Sequence, residues 1–195
     1  MMRTLVLASA SPRRSELLEQ IGVRFRRQPV EIDETPREQE SGEDYVRRVA
    51  LEKARAVRRE FGDDELLVLG ADTAVVVDDR LLGKPADLAH ARDMLRRLSG
   101  RMHRVLSAVA LVGEHEALRV SESAVWFRAL SDAEIDAYWQ TGEPQDKAGA
   151  YAIQGLGAVF VKRLEGSYSG VMGLPLYETA QLLKEFGIQV LAQRA

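Results

Sequence analysis

Apolar residues recur along this chain in two rhythms, short runs that are apolar at nearly every position and longer stretches where they return every three or four residues, the pattern of strands mixed with helices. The first run, residues 3–9, predicts a buried strand. It passes into "SPRRSELLEQIG", where Ser11 suits a helix cap, Pro12 the first helical position and Gly22 a stop. "VRFRRQPVEIDE" predicts a second extended segment. In "SGEDYVRRVALEKARAVRREFG", Tyr45, Val46, Val49, Ala50, Lys53, Ala54 and Val57 then fall at helical spacing behind a capping box of Ser41 and Asp44. That stripe is apolar except at Lys53.

"LLVLGADTAVVVDDRLLGKP" is apolar on both alternating faces, as in a central strand covered on each side, and predicts a turn near residues 78–80. A helix is expected from Asp87 through Leu98 with Gly100 as its stop, followed by two long strands, "RVLSAVALVG" and "ALRVSESAVWFRAL". "SDAE" at 131–134 is a capping box for a helix that Gly142 ends. Residues 143–173 are glycine-rich around one strand, "GAVFVKRL", and Pro175 starts a last amphipathic helix ending at Gly187. With no repeat or linker, the pattern predicts one α/β domain with a mixed sheet over residues 1–195.

Composition narrows the chemistry. A hydrophobic content of 46% suffices for a substantial core, and 27 Lys+Arg against 30 Asp+Glu leave a net charge of -3, so an anion site must come from local clustering and bulk nucleic-acid binding is disfavoured. The absence of cysteine excludes disulfides and thiol chemistry. No apolar run approaches the roughly 18 residues of a membrane span, and the apolar part of "MMRTLVLASA" is too short for a signal peptide, so a cytoplasmic location is expected.

The strand-to-helix turn near the N-terminus holds Ser9, Ser11, Arg13 and Arg14. Two guanidinium groups there oppose the helix dipole, and free backbone N–H groups point the same way, so phosphate is the expected guest. A plain cap beside a surface arginine pair, or a minor-groove element, are the other readings. Asp72 interrupts an apolar strand, where a lone charge costs several kcal/mol unless it is paired, hydrogen-bonded or bound to metal; the alternative is an Asp that caps a turn or pairs with a core lysine. Lys53, Lys84 and Lys147 each sit beside apolar sequence; alone each reads as a snorkelling or salt-bridged side chain, and with the two arginines they give cations for a polyanion. Glu31, Asp33 and Glu34 form an acidic cluster able to offer oxygens to Mg²⁺, though a solvated loop is the commoner meaning. The glycines of "AGAYAIQGLG" permit close approach to a flat ligand. The three histidines lack zinc-ligand spacing.

"SASPRR", "EKA", "GADT", "GKP" and "DKAGAYAIQG", in this order, resemble the Maf family of nucleoside triphosphate pyrophosphatases nearly end to end. The resemblance implies a mixed, twisted sheet with flanking helices in an elongated two-lobed domain with a central cleft. It also implies cleavage of a nucleotide to the monophosphate and pyrophosphate, dependent on a divalent cation, Mg²⁺ or Mn²⁺. By the same likeness Asp72 is the proton acceptor, Asp72 and Glu34 are the metal positions, and Arg13, Thr73 and Gln154 sort substrates. Ser9, Arg14, Lys53 and Lys84 resemble further active-site positions, with Lys147 beside them for phosphate. "SPRR", "ADT" and "AIQG" resemble the branch acting on dTTP and UTP rather than on 7-methyl-GTP. An amide at Gln154 matches the alternating acceptor, donor and acceptor of a pyrimidine edge, although it can also pair with guanine. A nucleotide-binding regulator of septum formation and a homodimer stay open.

Overall fold

The strand read as central, β3 (Leu66–Val77), organises the molecule, because it carries neighbours on both edges and buried residues on both faces. We describe residues 4–61 and 66–190 of a computed structural model of the chain. Before β3 come β1 (Thr4–Leu7), α1 (Pro12–Gln20), β2 (Arg26–Arg27) and α2 (Gly42–Phe61); after it come β4 (Arg80–Leu82), α3 (Leu88–Leu98), β5 (Met102–Val112), β6 (Glu116–Phe127) and α4 (Asp132–Gln140). Three 3-10 turns, at Glu143–Asp146, Ala148–Ala150 and Leu156–Phe160, lead to β7 (Val161–Glu165), α5 (Tyr168–Met172) and α6 (Leu176–Glu185). The sheet runs β2-β1-β3-β5-β6-β7, with β4 also on β3. It is mixed: β1 is parallel to β2 and β3, and the other pairs are antiparallel.

Alternation along β3 builds two cores on one face. Leu67, Leu69 and Ala71 pack with Leu17 and Leu18 of α1 and Leu182 and Leu183 of α6. Further along the same face, Val75 and Val77 pack with Met94, Leu95 and Leu98 of α3 and Ile135 and Tyr138 of α4. Those two cores are the lobes, and Thr73 lies in the sequence between them. The opposite face belongs to α2, whose Val46, Ala50, Ala54 and Val57 cover Val68, Ala74 and Val76. This contact is close because position 70 has no side chain: a Cβ on Gly70 would lie 2.2 Å from the Ala50 carbonyl oxygen. The β3–β4 turn uses Asp78 and Asp79, both with left-handed φ (49° and 56°), the mirror-image turn whose twist suits a two-residue hairpin.

Several expectations are corrected. Of the expected extended segment 23–34, only Arg26–Arg27 pairs, against Val6 and Leu7. The strand expected from Gly157 begins at Val161, because residues before it form a 3-10 turn in which Gly157 is pressed against Tyr138 and Ala152. Ser11 stands at the N-cap of α1 but its hydroxyl makes no cap bond. The short helix α5, capped by Ser167, had no sequence signal strong enough to separate it from the glycine-rich loop. Arg3 and Gly62, expected at the ends of the first strand and of the second helical stretch, lie outside the described residues. Among the described residues no helix is long and apolar enough to cross a membrane.

Candidate active site

β1 covers its edge of β3 only through Leu69, and β4 covers the same edge only from Val75. Residues 70–74 are therefore paired with β5 alone, and a cleft of about 570 Å³ opens against this gap. At its near end the Ala8 N–H donates to the Leu69 carbonyl at 2.8 Å, and the chain then turns away into α1. Ser9 Oγ accepts from the Ser11 N–H at 3.1 Å and from Arg14 Nη1 at 3.2 Å, while Arg14 Nε donates to the Gly173 carbonyl at 2.8 Å. Burial lowers the pKa of Arg14, opposed by the negative charge of Asp72.

Asp72 faces α2. The same side-chain-free contact at Gly70 brings Lys53 alongside, with Nζ 3.0 Å from Asp72 Oδ1, and both residues are buried. Burial pushes the Asp72 carboxyl above the usual aspartate range, against the lowering influence of Lys53 and Arg14. Lys53 Nζ also lies 2.9 Å from Glu34 Oε1. Glu34 reaches it from an irregular loop that Arg48 of α2 holds: Arg48 grips Glu40 at 2.6 and 2.8 Å and donates to the Asp33 and Thr35 carbonyls, on either side of Glu34, at 3.5 and 3.1 Å.

On the far wall, Arg13 Nη1 lies 3.7 Å from Asp146 Oδ2, and Asp146 also pairs with Lys147. Gln154 stands exposed on a loop tied down by Glu143, which accepts from the Leu156 N–H at 2.9 Å, the Gly157 N–H at 3.0 Å and the Tyr138 hydroxyl at 2.6 Å. Lys84 follows Gly83, whose carbonyl accepts from the Gly149 N–H at 3.0 Å.

The residues singled out from the sequence thus meet in one place: Ser9, Arg13, Arg14, Glu34, Lys53, Asp72, Thr73, Lys84, Lys147 and Gln154 all line this cleft. The profile of the Maf-like protein family matches residues 4–186. The chain belongs to the Maf family. Its relatives include a protein of Alkalilimnicola ehrlichii named dTTP/UTP pyrophosphatase, 60% identical over 188 residues, which are 94% of this chain and 93% of that one. A protein of the same name from Hahella chejuensis is 54% identical over 191 residues, 96% of this chain and 94% of that one. Among solved structures, a nucleoside-triphosphatase / dITP/XTP pyrophosphatase of Mycobacterium abscessus overlaps 64% of this chain and 72% of its own at 26% identity, with a TM-score of 0.40.

Within the Maf cleft the acidic cluster is divided. Glu34 enters, but Glu31 is not in the lining, and Asp33 turns back to accept from the Thr35 N–H at 2.9 Å. Asp72 and Glu34 point at one cation, the Lys53 ammonium, so their hard oxygen donors already converge on positive charge. Two carboxylates supplemented by phosphate oxygens are a donor set that suits Mg²⁺ or Mn²⁺. Among the described residues no group of three or more His, Asp or Glu side chains could hold a metal by itself. Sequence reasoning missed Tyr45, read as core, which lines the cleft with its hydroxyl pushed up to about 12 by burial and by the nearby Asp72 and Glu34 charges. It also missed Asp146 as a partner of Arg13, and Glu143 and Arg48 as loop ties, for which the sequence holds no signal beyond ordinary surface charges.

Proposed function

We propose that this chain hydrolyses nucleoside triphosphates to the nucleoside monophosphate and pyrophosphate, with dTTP and UTP as its substrates. The observation that carries this is a buried carboxylate, Asp72, in a cleft walled by arginines and lysines from separate parts of the chain. Arg13, Arg14, Lys53, Lys84 and Lys147 hold the triphosphate, and positioning with charge stabilisation supplies most of the catalysis in phosphoryl transfer. Asp72 accepts a proton from water as the water oxygen bonds to the α-phosphorus; the bond to the bridging oxygen breaks, and pyrophosphate leaves into the cationic wall. A carboxyl whose pKa lies above the ordinary aspartate value is the better base. Asp72 and Glu34 would hold Mg²⁺ or Mn²⁺, which supplies neutralising charge at the phosphate oxygens when bound.

Gln154 offers an N–H donor to a carbonyl oxygen at the edge of the base, and uracil and thymine carry two such oxygens there. The names of relatives 60% and 54% identical over nearly the whole chain support the same substrates. The test is pyrophosphate release from dTTP, UTP and 7-methyl-GTP by the wild type and Asp72→Asn. Asp72→Asn is expected to lower turnover of dTTP by a factor on the order of 100 or more while nucleotide binding persists. A folded Asp72→Asn protein with wild-type turnover would overturn the assignment, and binding without any release by the wild type would favour a sensor over an enzyme.

A further inference from the structure

Between the two cores a short chain of hydrogen bonds runs from the cleft into the protein. Thr73 Oγ1 and Ser107 Oγ lie 2.9 Å apart, and Ser107 Oγ lies 2.6 Å from the Gly170 carbonyl oxygen. A carbonyl can only accept, and a serine hydroxyl has one proton. That proton therefore goes to Gly170, and the contact between the hydroxyls takes its proton from Thr73. Ser107 is 1% exposed, so water does not offer it another arrangement. Thr73, by contrast, lines the cleft and is only partly buried. With its proton committed inward, it meets a ligand with lone pairs alone.

We propose that Ser107 is a positioning residue for base selection, which makes the Thr73 hydroxyl an obligate acceptor and so matches the cleft to the ring N3–H of uracil and thymine. The proposal rests on the reading of this cleft as a pyrimidine nucleotide site. On the uracil edge O2 and O4 accept and only N3–H donates, so an acceptor-only group fits one position. Cytosine presents a bare N3 there, and two lone pairs meet. Gly170 completes the relay because α5 is short and anchored: the Gly170 N–H donates to the Ser167 hydroxyl at 2.9 Å, and the Gly170 carbonyl, which accepts from the Gly173 N–H at 3.0 Å, has its second lone pair for Ser107.

The test is kcat/KM for UTP and CTP on the wild type, Ser107→Ala, Thr73→Val and Thr73→Ser. The wild type is expected to prefer UTP. Ser107→Ala frees the Thr73 proton to donate to cytosine N3, so the UTP/CTP ratio is expected to fall about tenfold through a gain on CTP, an effect that looser packing around α5 does not produce. Thr73→Ser keeps the ratio; Thr73→Val lowers UTP without lowering CTP, and tests the acceptor role even if Ser107→Ala does not fold. An unchanged ratio in Ser107→Ala, or a parallel loss on both nucleotides in Ser107→Ala or Thr73→Val, overturns the relay, as does a wild type that does not distinguish the two. If the wild type releases pyrophosphate from neither, the reading of the site fails instead, and the same comparison run as binding of UMP against CMP decides the relay on its own.

Discussion

Asp72 and its single ammonium partner at 3.0 Å are buried together, and burial outweighs the pairing in setting the proton affinity of the carboxyl. The folded protein therefore holds this proton more tightly than the unfolded chain does. Its contribution to stability is full below the ordinary aspartate value of 3.8 and is lost as pH rises through the raised folded value. The ionised form of Asp72 is thus a strain on the fold, and Asp72→Asn is expected to melt at a higher temperature than the wild type at pH 7, while Lys53 keeps Glu34 as its partner. Calorimetry of both proteins without ligand checks this, and a lower melting temperature for the variant would show that the ion pair outweighs the burial. Asp72 and Lys53 were legible in the sequence because a charge inside an apolar pattern is costly enough to need a reason. Ser107 breaks its strand in the same way, but a hydroxyl is cheap to bury once it finds a carbonyl, so its presence alone points to nothing.

At the level of elements, α2 supports the cleft twice, with Lys53 facing β3 and Arg48 reaching the loop that carries Glu34. The five donors of a guanidinium make this possible, since two engage Glu40 and others reach backbone carbonyls. Arg48 also holds the Glu40 carboxyl down at about 2, well below the ordinary glutamate value. Arg48→Lys retains the charge and loses the fork, so the expected result is faster hydrogen exchange across residues 33–40, with KM for dTTP raised several-fold and exchange in the centre of α2 unchanged. Wild-type exchange in that loop would mean that Arg48 is not what orders it. The long strands and helices followed from period alone. The loop between β2 and α2 did not, because its order comes from Arg48, eight to fifteen positions further along the sequence, and nothing local marks it. The start of β7 was misplaced for a related reason: Gly157 has strand-like neighbours, yet Tyr138 and Glu143 hold it in a turn.

Across the whole molecule, the two cores on one face of the sheet differ in their response to acid. The core between α3, α4 and the middle of the sheet contains His103, whose Nε2 meets the Tyr151 hydroxyl at 2.8 Å and whose pKa burial lowers to about 4. Between the ordinary histidine value of 6.5 and about 4, the unfolded chain takes up a proton that the folded protein refuses. Stability is thus full above the unfolded value and is lost as pH falls through the folded one, by roughly 3 kcal/mol in all. The melting temperature of the wild type is expected to fall more steeply from pH 6.5 to 4 than that of His103→Gln, which has no proton to take up and an amide able to reach Tyr151. Equal slopes would exclude His103 as the source. Because Tyr151 also lines the cleft, the acid-sensitive core and one wall of the site are the same structure.

The uncovered stretch of β3 bears on a different matter, the tendency of bare strand edges to recruit other polypeptides. A strand docking there would have to enter between β1 and β4, which lie on the same edge before residue 70 and after residue 74, and pass between buried or paired charges on Asp72, Lys53 and Arg14. The gap spans residues 70–74 and is closed at both ends by strands already paired to β3, so an entering segment could not extend past either neighbour. It keeps peptide groups within reach of a small, charged molecule while denying them to a second chain, so the opening that admits a ligand does not double as a seed for fibrils.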